Sequence, residues 1–297
     1  MILQYIYKAS ECGLLEWPSG TLRLQDITTT EDPALADVIV YPGALHTLRP
    51  SDLDKLPYMR EHEEKHVFFH NADHTDRYGK KCLFIRCNLR PWNLESDPNS
   101  IAWPWGVNPK GDLDQCIEVP SDGYKFDVSF VGWNSGLVRK VSARSCQSNQ
   151  RIKADVAMYP DFYGYIEDTD EGRRRRADFI RSLKESRIIL CPESIPGVLP
   201  YRFFEAMAAG RFPLLIGNDY ALPFSDLIPY DDFIARLAND DAPDAGDVVA
   251  EIRSRHTDKV FKEKGLLARK YWSEFMDGAK WPRLMAEEVQ RKISVTA

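Results

Sequence analysis

The chain has 297 residues, with 39 Lys+Arg against 45 Asp+Glu, a formal net charge of −6 and a hydrophobic fraction of 43%. At roughly 150 residues per domain this is room for about two domains, and the composition excludes a disordered chain, a collagen-like repeat and a small disulfide-stapled scaffold. The acidic balance argues against a general nucleic-acid binder, and no apolar run approaches the roughly 18 residues that span a bilayer.

MILQYIY at the start reads as a first β-strand, since it has no basic leader and too short an apolar core for a signal peptide. The expectation is therefore a cytoplasmic protein with free thiols at Cys12, Cys82, Cys87, Cys116, Cys146 and Cys191. No pair of them has the C-x-x-C spacing of a zinc or redox site. Asp32-Pro33 predicts a short helix over ALAD, and VIVYPG after it a strand closed by a Pro-Gly turn. Pro50 to Leu53 has the look of a helix start. KHVFFH and KCLFIRC are two more strands, with Cys82 and Cys87 as small core residues flanking LFIR. A loop-rich stretch with Pro91, Pro98, Pro104 and Pro109 follows, and EVPSDGY (Glu118 to Tyr124) reads as a linker.

Beyond it, FDVSFVGW predicts a strand running to Gly132, and residues 137–151 a helix. Residues 173–187 predict a charged helix with Phe179, Ile180 and Leu183 as its apolar stripe. Arg173 to Arg176 would open that helix as a solvated face, at the end its dipole disfavours for cations. RIILCPE (strand), PYRFFEAMAAG (helix) and FPLLIG (strand) come next, and helical sequence from Val248 closes the chain. Apolar runs alternating with helical segments predict an α/β protein with parallel sheets.

The stretch SRIILCPESIPGVLPYRFFEAMAAGRFPLLIG carries the most chemistry. A buried strand ends at Cys191-Pro192, and a loop with Pro196, Gly197 and Pro200 leads into a short helix that Gly210 terminates. Arg202 and Glu205 are three residues apart and share a helix face. Strand, Gly/Pro loop and Arg-bearing helix start make a diphosphate site at the carboxyl edge of a parallel sheet. A carboxylate one turn later can accept both hydroxyls of a ribose. The competing reading is a surface ion pair worth roughly 0.2–0.5 kcal/mol. Neither Gly-x-Gly-x-x-Gly nor Gly-Lys-Ser/Thr occurs at the strand–helix turns, which weighs against dehydrogenases and P-loop ATPases.

The order Ser186, Cys191-Pro192, Gly197, Arg202, Glu205-Ala206, Gly210 and Pro213 resembles the C-terminal half of exostosin-like glycosyltransferases. Leu222-Pro223-Phe224-Ser225-Asp226 and the FVGW of Phe130 to Trp133 are also similar to that family. The resemblance implies a GT-B architecture, two Rossmann-like domains facing a central cleft. The expected division is 1–120 for the acceptor, 121–275 for the nucleotide sugar, and a last helix, 276–297, packing back on the first domain. It also implies Arg202 on the donor phosphates, Glu205 on the ribose and the Gly132 loop near the phosphates or the sugar. Trp133, Tyr163, Cys191, Pro192, Glu193, Ser194, Gly197 and Tyr201 complete the expected donor-binding set. Trp133, Tyr163 and Tyr165 equally fit a role in covering the sheet. Trp272 and Trp281 are expected as packing anchors.

Sugar transfer with inversion needs a base for the acceptor hydroxyl. Val67 to Phe69 runs into His70-Asn71-Ala72-Asp73-His74, the densest run of acid/base residues in the chain. Asp73 is the first choice as base, with His70 and His74 as competitors; the other reading is a polar loop whose Asn and Asp side chains cap turns. His70 and His74 have a spacing seen in metal sites but lack the Glu of His-Glu-x-x-His, so no metal site is expected. Trp103 and Trp105 fit either an acceptor platform or packing under a loop.

The function these features predict is transfer from a nucleotide sugar, with UDP-sugar as substrate and no cofactor, to a glycan acceptor. Inversion and metal independence follow the family. Lacking an anchor, the chain is expected to be a microbial or viral member working in surface polysaccharide biosynthesis. The alternatives are a non-catalytic sugar- or nucleotide-binding module and a GT-B sugar-nucleotide epimerase.

Overall fold

A computed structural model describes residues 3–7, 27–44, 53–70, 77–107, 111–161, 169–195, 198–218 and 220–296. The chain divides into two compact units. Unit 1 holds Met1–Trp105, Asp219–Phe224 and Gly278–Ala297, and unit 2 holds Gly106–Asn218 and Ser225–Asp277. The stretch expected as a linker, Glu118 to Tyr124, lies within unit 2.

In unit 1, strands β1 (Leu3–Ile6), β2 (Thr28–Thr29), β3 (Val38–Ala44), β4 (His66–His70), β5 (Leu83–Arg86) and β6 (Ile101–Ala102) form one sheet in the order β2-β1-β3-β4-β5-β6. Every pairing is parallel. Its core is aromatic, with Tyr5, Tyr7, Tyr41, Phe68, Tyr78 and Phe84 buried together. ALAD is not a helix. The Asp32 carboxylate accepts from the Ala34 N–H at 2.9 Å, and its carbonyl from the Leu35 N–H at 3.2 Å, which closes a turn instead. A short polar side chain that captures its own backbone competes with helix formation, and β3 begins directly afterwards. Strand β3 also runs through Pro42-Gly43 to Ala44, with a register shift rather than a stop.

In unit 2 the elements alternate: β7 (Phe126–Trp133), α1 (Leu137–Ser148), β8 (Ala154–Tyr159), α2 (Asp170–Glu185), β9 (Ser186–Pro192), α3 (Tyr201–Ala208), β10 (Phe212–Ile216), β11 (Ala235–Leu237), α4 (Ala245–Arg255) and α5 (Asp258–Tyr271). The sheet order is β11-β10-β9-β7-β8, again all parallel. The chain goes from β7 outward to β8 and returns to the other side as β9, so the strand order reverses between β7 and β9. In doubly wound sheets this switch point is where ligands bind, outside the carboxyl ends of the strands.

Helix α2 starts three residues earlier than the arginine run suggested. The Thr169 hydroxyl caps it by accepting from the Gly172 N–H at 3.0 Å, and Asp170 and Glu171 occupy the first turn. The dipole is therefore met by acids, and the arginines behind them pair with carboxylates, Arg174 with Glu171 at 2.7 Å and Arg175 with Asp161 at 2.6 Å. Helix α3 ends as expected at Gly210, where φ is +67°. The Gly210 and Arg211 N–H groups donate to Met207 and Ala206 at 3.0 and 2.9 Å, the paired bonds of a Schellman motif. A Cβ on Gly265 of α5 would stand 2.2 Å from the Gly210 carbonyl, so α3 and α5 meet backbone to backbone.

The closing helix α6 (Trp281–Thr296) belongs to unit 1, where the Trp281 ring lies 6.0 Å from Phe69 and 6.1 Å from Trp103. Trp272 is buried in unit 2. Cys82, Cys87, Cys116, Cys146 and Cys191 are free and buried, and Cys12 lies outside the described residues. Among the described residues no helix is long and apolar enough to cross a membrane.

Candidate functional site

The switch point of unit 2 is built from two loops and two helices. Strand β7 ends in Gly132-Trp133, and the turn Asn134-Ser135-Gly136 delivers the chain into α1 with no side-chain cap on its first N–H groups. Gly136 has φ +75°, and a Cβ there would stand 2.4 Å from the Ser194 carbonyl. The loops after β7 and β9 therefore touch through backbone, which only glycine permits.

Two guanidinium groups converge here. Arg202, from the first turn of α3, has its Cζ 5.5 Å from the Phe130 ring; Arg139, from the first turn of α1, stands 5.6 Å from the same ring. A Cβ on Gly132 would lie 3.0 Å from Nη2 of Arg202, so the missing side chain makes room for the guanidinium. Arg202 donates Nε–H to Glu205 Oε2 at 3.1 Å. Glu205 Oε1 faces Arg176 at 3.5 Å, and Arg176 is held in turn by both oxygens of Asp112 at 2.8 and 2.9 Å. Arg202 and Glu205 are largely buried, with side-chain exposures of 15% and 10%, so they are not a solvent-facing pair.

Arg139 has no carboxylate partner among the described residues. Its Nη1 donates to the Trp133 carbonyl at 3.1 Å and to the Ser135 hydroxyl at 2.8 Å, while its Nε is buried with no partner among the described residues. Burial pushes its pKa down to about 10, and the neighbouring Arg202 charge pushes the same way. It stays cationic at neutral pH. Asn134 Oδ1, in the turn before α1, is also buried without a partner among the described residues. From Asp112 through Arg176, Glu205 and Arg202 to Arg139, three cations face two carboxylates. Such an excess of positive charge with open N–H groups, at a switch point, has the chemistry to accept a phosphate-bearing anion.

The predicted donor residues fall around this cluster in different ways. Gly132, Ser194, Arg202 and Glu205 belong to it. Trp133 is 41% exposed at its rim, with Tyr201, also exposed, at the start of α3. Glu193 is buried, and its carboxylate accepts from Asn239 Nδ2 at 2.5 Å. Cys191 does not offer its side chain. The thiol lies inside the sheet, bonded to the Ile189 carbonyl, and burial pushes its pKa up. Pro192 is also buried, in the end of β9. Tyr163 and Gly197 lie outside the described residues.

In unit 1, β4 ends at His70, of which the backbone is described; Asp73 and His74 lie outside the described residues. Trp103 and Trp105 do not form an exposed platform. Trp103 is 0% exposed, with its ring 5.1 Å from Phe224, and Trp105 is buried. Among the described residues no cluster of His, Cys, Asp or Glu has metal-binding geometry.

The residues missed from sequence are Arg139, Arg176 and Asp112. In LVRKVSAR an arginine reads as helix surface, and only the adjacency of β7 and β9 places it beside Arg202.

No family model matches the chain. It is 29% identical over 90 residues to "Probable glucuronosyltransferase GUT1" of Oryza sativa subsp. japonica and 25% identical over 123 residues to "Probable glycosyltransferase At3g07620" of Arabidopsis thaliana. These matches cover 30% and 41% of this chain, and they span only 21% and 23% of the two plant proteins. Among solved structures, a glycosyltransferase from Rickettsia africae ESF-5 superposes with a TM-score of 0.52 at 12% identity, covering 91% of this chain and 84% of that one. The fold is therefore of the GT-B class, α/β with two Rossmann-like units.

Proposed function

We propose that the chain is a glycosyltransferase of the exostosin type, moving a sugar from a nucleotide diphosphate to a glycan acceptor. The observation that carries this reading is the pair of guanidiniums at the switch point of unit 2, Arg139 and Arg202, of which only Arg202 has a carboxylate partner, Glu205, among the described residues. In transfer, the bond from the anomeric carbon to the diphosphate breaks and the leaving group keeps the electron pair. Guanidiniums already in place stabilise that charge without reorganising at the moment of reaction. The N–H groups that open α1 add the positive end of a helix dipole. Trp133 and Tyr201 offer faces to the base or the sugar.

UDP-sugar as donor, inversion at the anomeric carbon and transfer without a metal are further parts of the proposal and rest on the resemblance. So does the base, Asp73 first and then His70 or His74. The run follows a central strand of a parallel sheet, at the carboxyl end where such sheets carry reactive groups. Asp73→Asn is expected to abolish turnover and leave donor binding intact; turnover at the wild-type rate moves the base elsewhere.

The reading is tested by thermal unfolding against UDP-, GDP- and ADP-sugars and the free diphosphates. A ligand at 100 times its Kd stabilises by about 2.7 kcal/mol, and Arg202→Gln should remove that gain. No stabilisation by any nucleotide, or an undiminished gain in the variant, overturns the proposal.

A further inference from the structure

The donor-site geometry gives Glu205 a use other than ribose contact. Its two oxygens are divided between two arginines: Oε2 takes the Nε–H of Arg202 at 3.1 Å, and Oε1 faces Nη1 of Arg176 at 3.5 Å. Arg176 is itself fixed by a two-pronged bond to Asp112, Nε to Oδ2 at 2.8 Å and Nη2 to Oδ1 at 2.9 Å. Asp112 sits in the turn Asp112–Cys116, Arg176 on α2 and Glu205 on α3, so the chain of charges ties three elements of unit 2 together. Arg202 contributes only its Nε to this chain. Its paired Nη groups donate no hydrogen bond among the described residues, and one of them lies against Gly132 at the end of β7.

A lone carboxylate beside an arginine prefers the two-pronged fit, in which both oxygens consume two N–H groups of the fork. Here one oxygen is drawn aside. We propose that Arg176, braced by Asp112, is a positioning residue for Arg202. By holding Oε1 of Glu205, it limits that carboxylate to a single bond with Nε, aims the guanidinium and leaves its outer N–H pair for the diphosphate of the donor. Glu205 then serves Arg202 and not the ribose hydroxyls. Removing Arg176 lets Glu205 swing into the two-pronged fit and consume the fork. Neutralising Asp112 lets Arg176 take both oxygens of Glu205 and leaves Arg202 untethered. The proposal rests on the donor-site reading above and goes beyond it in naming what aims the phosphate-binding group.

The test is calorimetry on the full chain with UDP and 2′-deoxy-UDP, uridine being titrated by NMR. Arg176→Gln and Asp112→Asn are each expected to weaken UDP roughly tenfold, as for one lost charge-assisted hydrogen bond, and to leave uridine unchanged. Asp112→Glu should restore most of the affinity. Wild type should bind UDP and its 2′-deoxy analogue equally. A merely structural role would lower UDP and uridine together, and that result overturns the proposal. If both variants bind UDP like wild type while Arg202→Gln weakens it, the positioning role is wrong and the donor site stands. If UDP prefers the 2′-hydroxyl and Glu205→Gln erases the preference, Glu205 is a ribose ligand and the positioning role again fails. If wild type binds none of UDP, GDP and ADP, or Arg202→Gln binds UDP unchanged, the donor site and this proposal fall together. Unfolding without ligand checks each variant, and Asp112→Asn carries the test if Arg176→Gln does not fold.

Discussion

Arginines leave bulk water in both units, and the two units accommodate them differently. In unit 1, Arg86 at the end of β5 and Asp97 are both 0% exposed and joined at 2.6 Å. Asp97 also accepts the Tyr78 and Lys80 N–H groups, and Arg86 Nε reaches the Ser100 hydroxyl at 3.1 Å. The charge is compensated and the surrounding donors are used. In unit 2, Arg202 has one carboxylate, Glu205, and Arg139 has none among the described residues; the two guanidiniums repel each other and keep open N–H groups at the switch point. Arg211, buried in the same unit, shows that burial alone is not the sign of a site. It donates to the carbonyls of Leu183, Lys184, Ala209 and Gly210, the ends of α2 and α3, and is satisfied like Arg86. What separates a structural arginine from a candidate ligand-binding one is the count of donors left open.

The largest effect should come from breaking the compensated pair. Asp97→Ala leaves Arg86 buried without a counter-charge, a change that costs about 3–5 kcal/mol. Chemical denaturation of the variant should show it, and a loss below about 1 kcal/mol means that water or another group reaches Arg86. The corresponding change in unit 2, Arg139→Gln, should leave stability within about 0.5 kcal/mol or raise it, because it relieves repulsion and orphans no carboxylate.

Next in size is Gly136→Ala. Its backbone, φ +75° and ψ 153°, lies in a region open to glycine, and the new methyl would overlap the Ser194 carbonyl. Strain of this kind costs about 1–3 kcal/mol. Since it moves the two loops that frame the guanidiniums, nucleotide affinity should fall with stability. A melt lowered without any loss of affinity would separate the loop contact from the site. Arg139→Gln supplies the opposite pattern, stability kept and UDP affinity down about tenfold, close to 1.4 kcal/mol. If affinity is unchanged, Arg139 is only a poorly satisfied structural residue.

Buried apolar runs made much of this architecture readable. FDVSFVGW, SRIILCP and FPLLI are strands β7, β9 and β10 because each buries a continuous run of at least five residues between helices. ADVAMY escaped notice because β8 is an edge strand whose residues are all half-buried, so it carries no continuous hydrophobic signal. ALAD looked helical until Asp32 bonded its own turn. At the site, Arg202 and Glu205 were visible because helix spacing fixes which residues share a face. Arg139, Arg176 and Asp112 were not, since strand order, which no local pattern encodes, decides what stands beside Arg202. Trp103 stayed open between platform and packing for a related reason: a Trp in a Pro-rich loop looks available until Phe224 and Trp281 arrive from distant sequence to cover it.

The smallest predicted effect sharpens the contrast from the side of unit 1. His66, at the start of β4, is fully buried, with Nδ1 donating to the His62 carbonyl at 2.7 Å and Nε2 at 2.8 Å from the Tyr7 hydroxyl. Its ring stacks 5.9 Å from Phe68. Unlike Arg86 it has no carboxylate partner among the described residues, and burial lowers its pKa below the ordinary 6.5. The sign follows from the neutral ring being the folded form. Above the unfolded pKa, near 6.5, both states are neutral and the fold keeps its full stability. Below it the unfolded chain takes up a proton that the folded chain refuses, so stability falls progressively with pH until the folded pKa is passed. Each unit separating the two pKa values is worth about 1.4 kcal/mol at most. Melting temperatures at pH 7.5 and 5.5 should therefore drop for wild type and drop less for His66→Gln. Equal drops would assign the acid sensitivity to groups other than His66.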